Sequence, residues 1–399
     1  MNRHYFIAAL AFMLLILVVS CRKILPGAPS DDEVLDGPVE SLTYEQNQQH
    51  LRGDVAFNDQ VFTPETGLGP VFVATSCGSC HIADGKGHPF TTLTRFGQSD
   101  STGNKFLDQG GPLLQVRAVP GYHPEKLPAG APVSRLTPPI VTGGGFIELV
   151  PEADILAMAD PDDLDGDGIS GVPNWSYLPS YITPGPGSVT QGGKYLCRFG
   201  KKGATFNLLQ QTVTAYNQDI GITSVYNPLD AWSLKDIDPE ISSSTVHDVV
   251  FYLQTLKAPV QRDQDDPDVM AGKTIFNKIG CNSCHKSTLK TGYSPLEGLS
   301  NKEFHPYTDL LLHDMGPPLD DGYTEGSAKT SEWRTAPLWG LGLAPKSQGG
   351  QYFLLHDGRA HSIEEAISFH AGEASSRRDK YNALSAHEKQ QLITFLKSL

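Results

Sequence analysis

The pentapeptide CGSCH at residues 77–81 occurs again as CNSCH at residues 281–285, and these two stretches decide how the chain is organised. In each, two cysteines stand three positions apart and a histidine follows directly. This is the attachment pattern of a c-type haem, in which the two thiols add to the vinyl groups of one porphyrin and the imidazole binds the iron. The sequence therefore predicts two covalently bound haems c, with His81 and His285 as proximal ligands.

The same cysteine spacing is also found in redox disulfides and in halves of zinc sites. A zinc ribbon needs a second cysteine pair within about 15–20 residues, and neither motif has one. The chain has six cysteines, and outside the two motifs only Cys21 and Cys197 remain. Haem attachment is therefore favoured over a disulfide framework or zinc. The predicted attachment residues are Cys77, Cys80, Cys281 and Cys284.

The composition is that of an acidic globular protein. The 399 residues, 39% of them hydrophobic, are enough for two domains with cores of their own. A formal net charge of −14, with no basic patch, excludes binding through nucleic-acid phosphates. Forty glycines and 29 prolines predict long, turn-rich connections between the regular elements.

The N-terminus has the features of an export signal. Arg3 precedes an apolar stretch over residues 5–19, which is shorter than the ~20 residues of a membrane span but typical of a signal-peptide core. The following VVSC resembles a bacterial lipobox and predicts cleavage before Cys21 and lipidation of its thiol. We expect an exported lipoprotein, facing the periplasm or at the cell surface, with a plain membrane anchor as the alternative.

Two amphipathic helices divide the rest of the chain. Apolar residues at helical spacing run from Val246 to Leu256, and the C-terminal stretch repeats this design after a capping box of Ser385 and Glu388. The expected fold class is mainly α, with two cytochrome c-like haem domains, of which the first is enlarged by long loop-rich insertions. The expected ranges are a signal peptide over 1–20, a lipid-anchored flexible tether over 21–55, a first haem domain over 56–258 and a second over 268–399.

A further histidine, His370, follows the second motif on a predicted helix. Ser362 and Glu365 predict a capping box at its start. The residues that then share one helix face are Ile363, Ala366, Ile367 and His370. An imidazole on an inward apolar face is a candidate for the distal ligand of the second haem iron. Met315, in the stretch HDMG, is the alternative.

The first haem has no distal ligand that the sequence identifies with comparable force. His88 and His123 lie in loops rich in glycine and proline, and loop histidines are usually exposed to solvent. We therefore expect an open sixth position on this iron. Glu148 is a candidate catalytic acid, because its neighbours are apolar and burial would raise its pKa. The alternative for Glu148 is an ordinary exposed strand residue.

An acidic stretch, DPDDLDGDGISG, lies between the two motifs. Asp163, Asp165 and Asp167 alternate there and Gly168 follows, as at the start of an oxygen-rich Ca²⁺ loop, although the later bidentate glutamate is missing from its usual place. The sequence predicts one bound Ca²⁺, with an acidic surface turn as the alternative.

Six segments of the chain resemble the di-haem oxidoreductase family, which is related to the bacterial di-haem cytochrome c peroxidases. They are GLGPVFVATSCGSCH, ILAMADPDDLDGDGISGVPN, RFGKKGATFNLLQQTVTAYNQDIGITS, YTDLLLHDMGPPLDDG, EWRTAPLWGLGL and FLLHDGRAHSIEEAISFHAGEA. The resemblance covers nearly all of the chain after the signal. It implies two cytochrome c-like domains with the haems near their interface, and redox chemistry on peroxide or another small substrate. Some members are labelled thiol oxidoreductases, but nothing in this sequence supports a thiol substrate.

The resemblance also implies roles for individual residues. In the related peroxidases a distal methionine follows the histidine of the HDG segment by fourteen residues, and the corresponding residue here is His370. In the methylamine dehydrogenase maturation enzyme this position is a tyrosine, so the present chain departs from both. The peroxidases have a catalytic glutamine and glutamate after the first domain's DGR segment. Here the corresponding stretch offers Gln210 or Gln211, and Asp219, a residue or two out of register.

The expected protein is therefore a peroxidase-like di-haem oxidoreductase, in which the C-terminal haem transfers electrons and the N-terminal haem carries out the chemistry. A carboxylate would move a proton from one peroxide oxygen to the other. The expected partners are an external electron donor or acceptor protein, peroxide or another small redox substrate, and a membrane reached through the lipid anchor. The alternative is a non-catalytic electron-transfer cytochrome with two six-coordinate irons.

Overall fold

The computed structural model describes Leu35, residues 37–100, residues 103, 104, 106 and 109, and residues 111–399. The predicted signal peptide and Cys21 lie outside the described residues. Leu35–Leu399 pack as one unit, so the division into two haem domains stays a prediction. No helix within the described residues is both long and apolar enough to cross a bilayer.

Helices supply the framework of the described part. They are α1 (Tyr44–Asp54), α2 (Gly144–Glu148), α3 (Glu152–Leu156), α4 (Leu208–Asp219), α5 (Ser243–Thr255), α6 (Pro267–Ile279), α7 (Ala344–Ser347), α8 (Ile363–Ser368), α9 (Ser375–Asn382) and α10 (Ala386–Ser398). These helices agree with the expected mainly α fold class.

The strands are short and pair in small antiparallel sheets. They are β1 (Val71–Phe72), β2 (Leu93–Phe96), β3 (Ser99–Asp100), β4 (Gly103–Asn104), β5 (Arg117–Ala118), β6 (Val133–Leu136), β7 (Asn174–Ser176), β8 (Thr190–Gln191), β9 (Lys194–Cys197), β10 (Leu289–Lys290), β11 (Glu303–Phe304), β12 (Leu312–Asp314) and β13 (Glu332–Arg334). The pairs are β1 with β5, β2 with β6, β3 with β4, β10 with β11 and β12 with β13, and the order β7-β9-β8 forms a three-stranded sheet. Most of them lie in the long insertions expected after the first motif.

Two helix pairs repeat the same construction. Gly53 in α1 lies against the carbonyl oxygen of Asp248 in α5, and Gly272 in α6 lies against that of Gln391 in α10. A Cβ atom at either glycine would stand 2.1 Å from the oxygen, so both close helix crossings require glycine. In each pair the first helix precedes a haem motif, and the second is the closing helix that the sequence predicts.

The predicted capping box of the last helix is confirmed. Ser385 Oγ accepts a hydrogen bond from the backbone N–H of Glu388, and the Glu388 carboxylate accepts one from the backbone N–H of Ser385. Two of the unpaired N–H groups at the helix start are thereby satisfied.

Helix α1 corrects the expected tether. Residues 44–54 are helical and pack on α5, where Arg52 forms an ion pair with Asp248 at 2.9 Å and the buried His50 contacts Thr255 Oγ1 at 2.8 Å. The flexible chain expected over 21–55 is therefore wrong for this part. The helix contacts its neighbour through a glycine and polar side chains rather than through an apolar stripe, so hydrophobic periodicity does not reveal it.

Three larger hydrophobic clusters hold the described unit together. One surrounds α4 and α5, and another surrounds α6 and α10. The third joins Ile147 and Leu196, from the first expected haem range, with Leu311 and Trp339, from the second. This shared cluster is the physical reason why the two ranges do not separate as packing units.

Candidate functional site

Both pentapeptides fold as a tight turn. The backbone N–H groups of Cys80 and His81 both donate to the carbonyl of Cys77 at 3.0 Å, and the N–H of His285 donates to that of Cys281 at the same distance. The two cysteines of each motif therefore stand one turn apart, as attachment to one porphyrin requires. None of the five described cysteines is disulfide-bonded.

Cys197 belongs to neither motif. It is buried in β9, and burial raises the pKa of its thiol to about 12. Such a thiol stays protonated and unreactive at neutral pH.

Three histidines are oriented by the same kind of contact. Nδ1 lies 3.0 Å from the Pro139 carbonyl in His81, 3.0 Å from the Tyr307 carbonyl in His285 and 2.9 Å from the Ala366 carbonyl in His370. A carbonyl only accepts, so Nδ1 carries the proton and Nε2 keeps a lone pair for a metal.

Burial keeps these imidazoles neutral. It lowers the pKa of His81 and of His285 to about 4, and it also lowers the pKa of His370. The nearby imidazole of His370 further lowers the pKa of His285. A neutral imidazole is the form that binds iron.

One cavity, of about 390 Å³, contains the second motif and extends towards the first. Its lining includes Cys281, Cys284, His285, His370 and Met315. Pro139, whose carbonyl holds His81, and Gln211 also line it. Both candidate distal ligands of the second haem therefore face the cavity of His285.

The local structure before His370 differs from the prediction. Helix α8 ends at Ser368, so His370 follows the helix instead of lying on it, although its N–H still donates to the Ile367 carbonyl at 3.0 Å. Ser362 caps the helix by accepting from the N–H of Glu365, but the Glu365 carboxylate accepts from the N–H of His361 and not from Ser362. The predicted capping box is thus only half formed.

The charges on the cavity wall fit an anionic, largely apolar cofactor. Among the described residues that line it there is no aspartate or glutamate, although the whole chain has a net charge of −14. The basic lining residues are Lys86, Arg198, Lys201, Arg334, Arg377 and Arg378. The buried Nε1–H of Trp339, also on the wall, has no acceptor within the described part of the chain. A haem offers a flat apolar ring together with two carboxylates, so these residues fit it.

Asp219, at the end of α4, lies beside the first motif. Burial, and after it the charge of Asp219, raise the pKa of Cys77 and of Cys80. Burial raises the pKa of Asp219 itself to about 7, despite the opposing charge of Arg95. Asp219 can therefore gain or lose a proton near neutral pH, as the prediction of a catalytic acid requires.

Arg95 connects several groups near Asp219. Its guanidinium pairs with Glu325 at 2.9 Å and donates to Tyr323 Oη at 3.2 Å and Gln218 Oε1 at 3.5 Å. Gln218, and not the predicted Gln211, is thus the glutamine next to Asp219. The spacing in the related peroxidases had indicated Gln210 or Gln211 instead of Gln218.

The two predicted glutamines have separate surroundings. Gln211 faces the large cavity, whereas Gln210 Oε1 accepts from the backbone N–H of Phe206 at 2.9 Å and so helps to cap α4.

Glu148 lies in helix α2 rather than in a strand. One carboxylate oxygen accepts from the N–H of Leu208 at 2.8 Å and the other from Gln254 Nε2 at 2.6 Å. Burial raises its pKa, as expected. Leu208 and Asp219 are the two ends of α4, which at 1.5 Å per residue is about 18 Å long, so Glu148 and Asp219 cannot act on the same atoms.

The acidic loop brings together a set that differs from the predicted one. The carboxylates of Asp160, Asp163 and Asp165 lie within 4.8 Å of one another. Asp167 is instead paired with Arg377 Nη2 at 2.9 Å. Asp160 therefore replaces Asp167, because the left-handed backbone of Asp163, with φ of 48°, turns the chain back towards Asp160.

The sequence analysis missed His313. This buried residue of β12 lies 3.6 Å from Cys284 Sγ, and its two ring nitrogens contact Asp309 at 2.9 Å and Glu373 at 2.8 Å. Burial alone would lower its pKa, but the hydrogen bonds to both carboxylates raise it well above its ordinary value. Beside the second motif, the two carboxylates therefore favour the protonated imidazole of His313 and offset its charge.

The remaining histidines have structural or surface positions. His123 is exposed, whereas His88 packs between Phe90 and Phe353 with ring centroids 4.6 and 4.7 Å away, instead of lying in solvent. His356 stacks on Trp333 at 3.7 Å with the rings 10° apart, and lies 3.9 Å from Asp357.

Comparison with known proteins agrees with these features. A family model described as "Di-haem oxidoreductase, putative peroxidase" matches residues 133–399. The comparison with curated proteins gave no match. Among solved structures, a xenon-pressurised hydrazine synthase of Kuenenia stuttgartiensis matches 94% of this chain and 98% of its own, at 14% identity and a TM-score of 0.40. Because the family model covers more than half of the sequence, the chain belongs to the di-haem oxidoreductase family.

Proposed function

We propose that this protein is an exported di-haem c-type cytochrome with peroxidase-like activity. The observation that carries the proposal is the pair of CxxCH turns. Each ends in a neutral histidine whose Nδ1–H donates to a backbone carbonyl. Cys77 and Cys80 would hold one haem covalently, and Cys281 and Cys284 the other. When bound, the haems supply one-electron redox chemistry and an iron at which a peroxide can be reduced.

The second haem is proposed to transfer electrons. His285 and His370 face the same cavity, and each presents a free Nε2. His285 and His370 would both hold the haem iron, which would then supply electron transfer without an open site for substrate. His313, held between the carboxylates of Asp309 and Glu373, would support the attachment residue Cys284.

The first haem is proposed to carry out the chemistry. Asp219 has a pKa of about 7 and lies near Cys77 and Cys80. As a carboxylate it can accept the proton of the attacked peroxide oxygen, and as an acid it can return that proton to the leaving oxygen. Gln218 and Arg95 would hold the carboxylate and substrate in place, while Gln211 lines the cavity on the same helix.

The cellular setting is part of the proposal. Export and lipidation at Cys21 would place the protein at a bacterial membrane, facing the periplasm or the cell surface, where an external electron-transfer protein could reach it. A Ca²⁺ ion in the loop of Asp160, Asp163 and Asp165 would stabilise the segment that Arg377 joins to the second motif.

The experiment is to produce the protein with a cytochrome c maturation system and to measure its mass. We expect two covalent haems, and one after Cys77→Ala with Cys80→Ala. A protein that carries zinc and no haem would refute the proposal. The reduced protein should bind one CO and turn over peroxide with an added electron donor. If neither reduced haem binds CO and no peroxide is turned over, the non-catalytic electron carrier is favoured.

A further inference from the structure

The six basic residues of the large cavity form two groups. Arg198, Arg377 and Arg378 each have a carboxylate partner, namely Glu152 at 3.7 Å, Asp167 at 2.9 Å and Asp379 at 3.0 Å. Within the described part of the chain, the other three have no carboxylate at ion-pair distance. These are Lys86, Lys201 and Arg334, which we call the unpaired cation cluster.

Lys201 is the least satisfied member. Its Nζ has no hydrogen-bond partner among the described residues, whereas Nζ of the adjacent Lys202 donates to the carbonyls of Lys329, Thr330 and Glu332 at 3.0–3.1 Å. Lys202 thus stabilises the fold through these hydrogen bonds. Lys201 lines the cavity, and its ammonium has no acceptor among the described residues.

The other two members are held close to it mainly by uncharged groups. The N–H of Arg334 donates to the carbonyl of Lys201 at 3.1 Å, and Arg334 Nε donates to the carbonyl of Gly200 at 2.9 Å. Among the described residues, Lys86 Nζ donates only to the carbonyl of Leu355, at 3.4 Å. The backbone therefore positions the three charges without neutralising any of them.

The three charges oppose one another. Burial first, and then the charge of Arg334, lower the pKa of Lys201 to about 8. Burial and the charge of Lys201 lower the pKa of Lys86 well below its ordinary value. Asp357 is the acid that offsets both, but its carboxylate is held by Arg359 at 2.7 Å. Burying like charges together is unfavourable unless an anion joins them.

The cluster lies on the side of the first motif. Lys86 follows His81 by five residues, and Pro139, whose carbonyl orients His81, lines the cavity with it. The backbone N–H of Gly87, the residue after Lys86, donates to the carbonyl of Pro138 at 3.0 Å, directly before the proline that orients His81. A ligand of this cluster therefore belongs to the centre at His81.

We propose that Lys86, Lys201 and Arg334 bind the propionate carboxylates of the haem attached at Cys77 and Cys80. The inference rests on the proposed function for the presence of that haem, and adds the residues that hold its acidic edge. Two carboxylates next to three cations would reduce the net charge of the cluster from +3 to +1, and the ammonium of Lys201 would raise the reduction potential of this haem.

The test compares haem-loaded wild type, Lys201→Gln, Lys86→Gln and Lys201→Arg, with the exposed Lys290→Gln as the charge-matched control. The haem carboxylates are labelled with ¹³C, and redox difference infrared spectra report their bands. The midpoint potential of each haem is measured in the same samples.

We expect Lys201→Gln and Lys86→Gln to shift the ¹³C carboxylate bands and to lower the potential of the first haem. The reduced-to-oxidised ratio at fixed potential should fall up to about tenfold, which corresponds to ~59 mV for one electron. Lys201→Arg keeps the positive charge, so its carboxylate bands and midpoint potential should stay close to those of wild type. Lys290→Gln should change neither. In the one-haem variant Cys77→Ala with Cys80→Ala, Lys201→Gln should no longer change the carboxylate bands or the midpoint potential of the remaining haem.

Three results would overturn the inference while leaving the proposed function intact. The first is unchanged carboxylate bands in Lys201→Gln with two haems present. The second is a fall in the potential of the second haem alone. The third is spectral binding of added acetate that Lys201→Gln abolishes, since the cluster would then serve a free carboxylate. A protein without any haem would instead refute the proposed function itself.

Discussion

Gly272 in α6 touches the backbone of Gln391 in α10 so closely that a Cβ atom would lie 2.1 Å from its carbonyl oxygen. Gly53 and Asp248 form the same contact in the helix pair around the first motif. The two haem segments thus share one packing device, which keeps the helix before each motif against the helix that closes it.

Gly272→Ala should lower the stability of the protein. Overpacking at a rigid contact costs about 1–3 kcal/mol, which exceeds the ~0.4–1 kcal/mol that alanine gains by restricting the unfolded chain. Thermal unfolding of the haem-loaded protein measures the change. Gly187→Ala, which faces open space, is the control and should not destabilise. Equal melting temperatures for Gly272→Ala and wild type would show that the helix crossing is not tight.

The second haem should be low-spin with two imidazole ligands. Without a thioether ligand its potential should lie below that of a His/Met cytochrome c, and no Met–iron charge-transfer band should appear in the near infrared. His370→Met should raise the potential and introduce the band, and His370→Ala should open the site to CO. Met315→Leu should do little. If Met315→Leu alone makes this haem high-spin, Met315 is the ligand.

Peroxide turnover should depend on the ionisation of Asp219. Since its pKa is about 7, kcat/KM for peroxide should rise with pH up to that region, where the carboxylate becomes able to accept a proton. Asp219→Asn should lower kcat/KM by about 10²–10⁴-fold and remove this limb. The exposed Asp238→Asn is the control. An unchanged profile in Asp219→Asn would assign the proton transfer to another group.

Asp219 should also affect stability, with a defined sign. Its pKa in the folded protein is raised from 3.8 to about 7, so ionisation opposes folding. The cost is absent below pH 3.8, grows as the pH rises and is complete above about 7. The Asp219→Asn variant should therefore have a higher melting temperature than wild type at pH 8 and the same melting temperature at pH 4. A lower melting temperature at pH 8 would show that the ionised carboxylate is stabilised by a bound group.

The pair of His313 and Glu373 should stabilise the fold. Burial alone would raise the pKa of Glu373, but the hydrogen bonds from His313, Ser170 and the Asp314 N–H, together with the charge of His313, outweigh this and lower it to about 2. The contribution of Glu373 is therefore present above its ordinary pKa of about 4.5 and is lost as the pH falls towards 2. Glu373→Gln should cost about 1–3 kcal/mol at pH 7 in denaturant unfolding. A cost that persists unchanged at pH 2 would contradict the ion pair as its origin.

Calcium should bind the loop of Asp160, Asp163 and Asp165. A ligand held only by the folded state at about 100 times its Kd adds ~2.7 kcal/mol, so EGTA should lower the melting temperature. Asp160→Asn with Asp163→Asn should abolish the response, whereas Asp167→Asn should keep it, because Asp167 pairs with Arg377. Absence of bound metal, with no effect of EGTA, would leave an acidic surface turn.

Features encoded by neighbouring residues could be predicted from the chain alone. Each CxxCH turn, the Ser385 capping box and the two closing helices depend on contacts within about four residues, which local spacing determines. The match of the family model confirms the resemblance that the six segments suggest.

Relations between distant residues were decided by packing. Spacing did not show that Asp160 and not Asp167 joins the acidic cluster, that Glu148 and Asp219 lie at opposite ends of α4, or that α1 is folded. Nor did it show that Lys201 Nζ has no hydrogen-bond partner in the described part of the chain, whereas Lys202 Nζ donates to three carbonyls. The charge and partners of a buried group depend on which remote segments surround it, and only the tertiary structure brings those segments together.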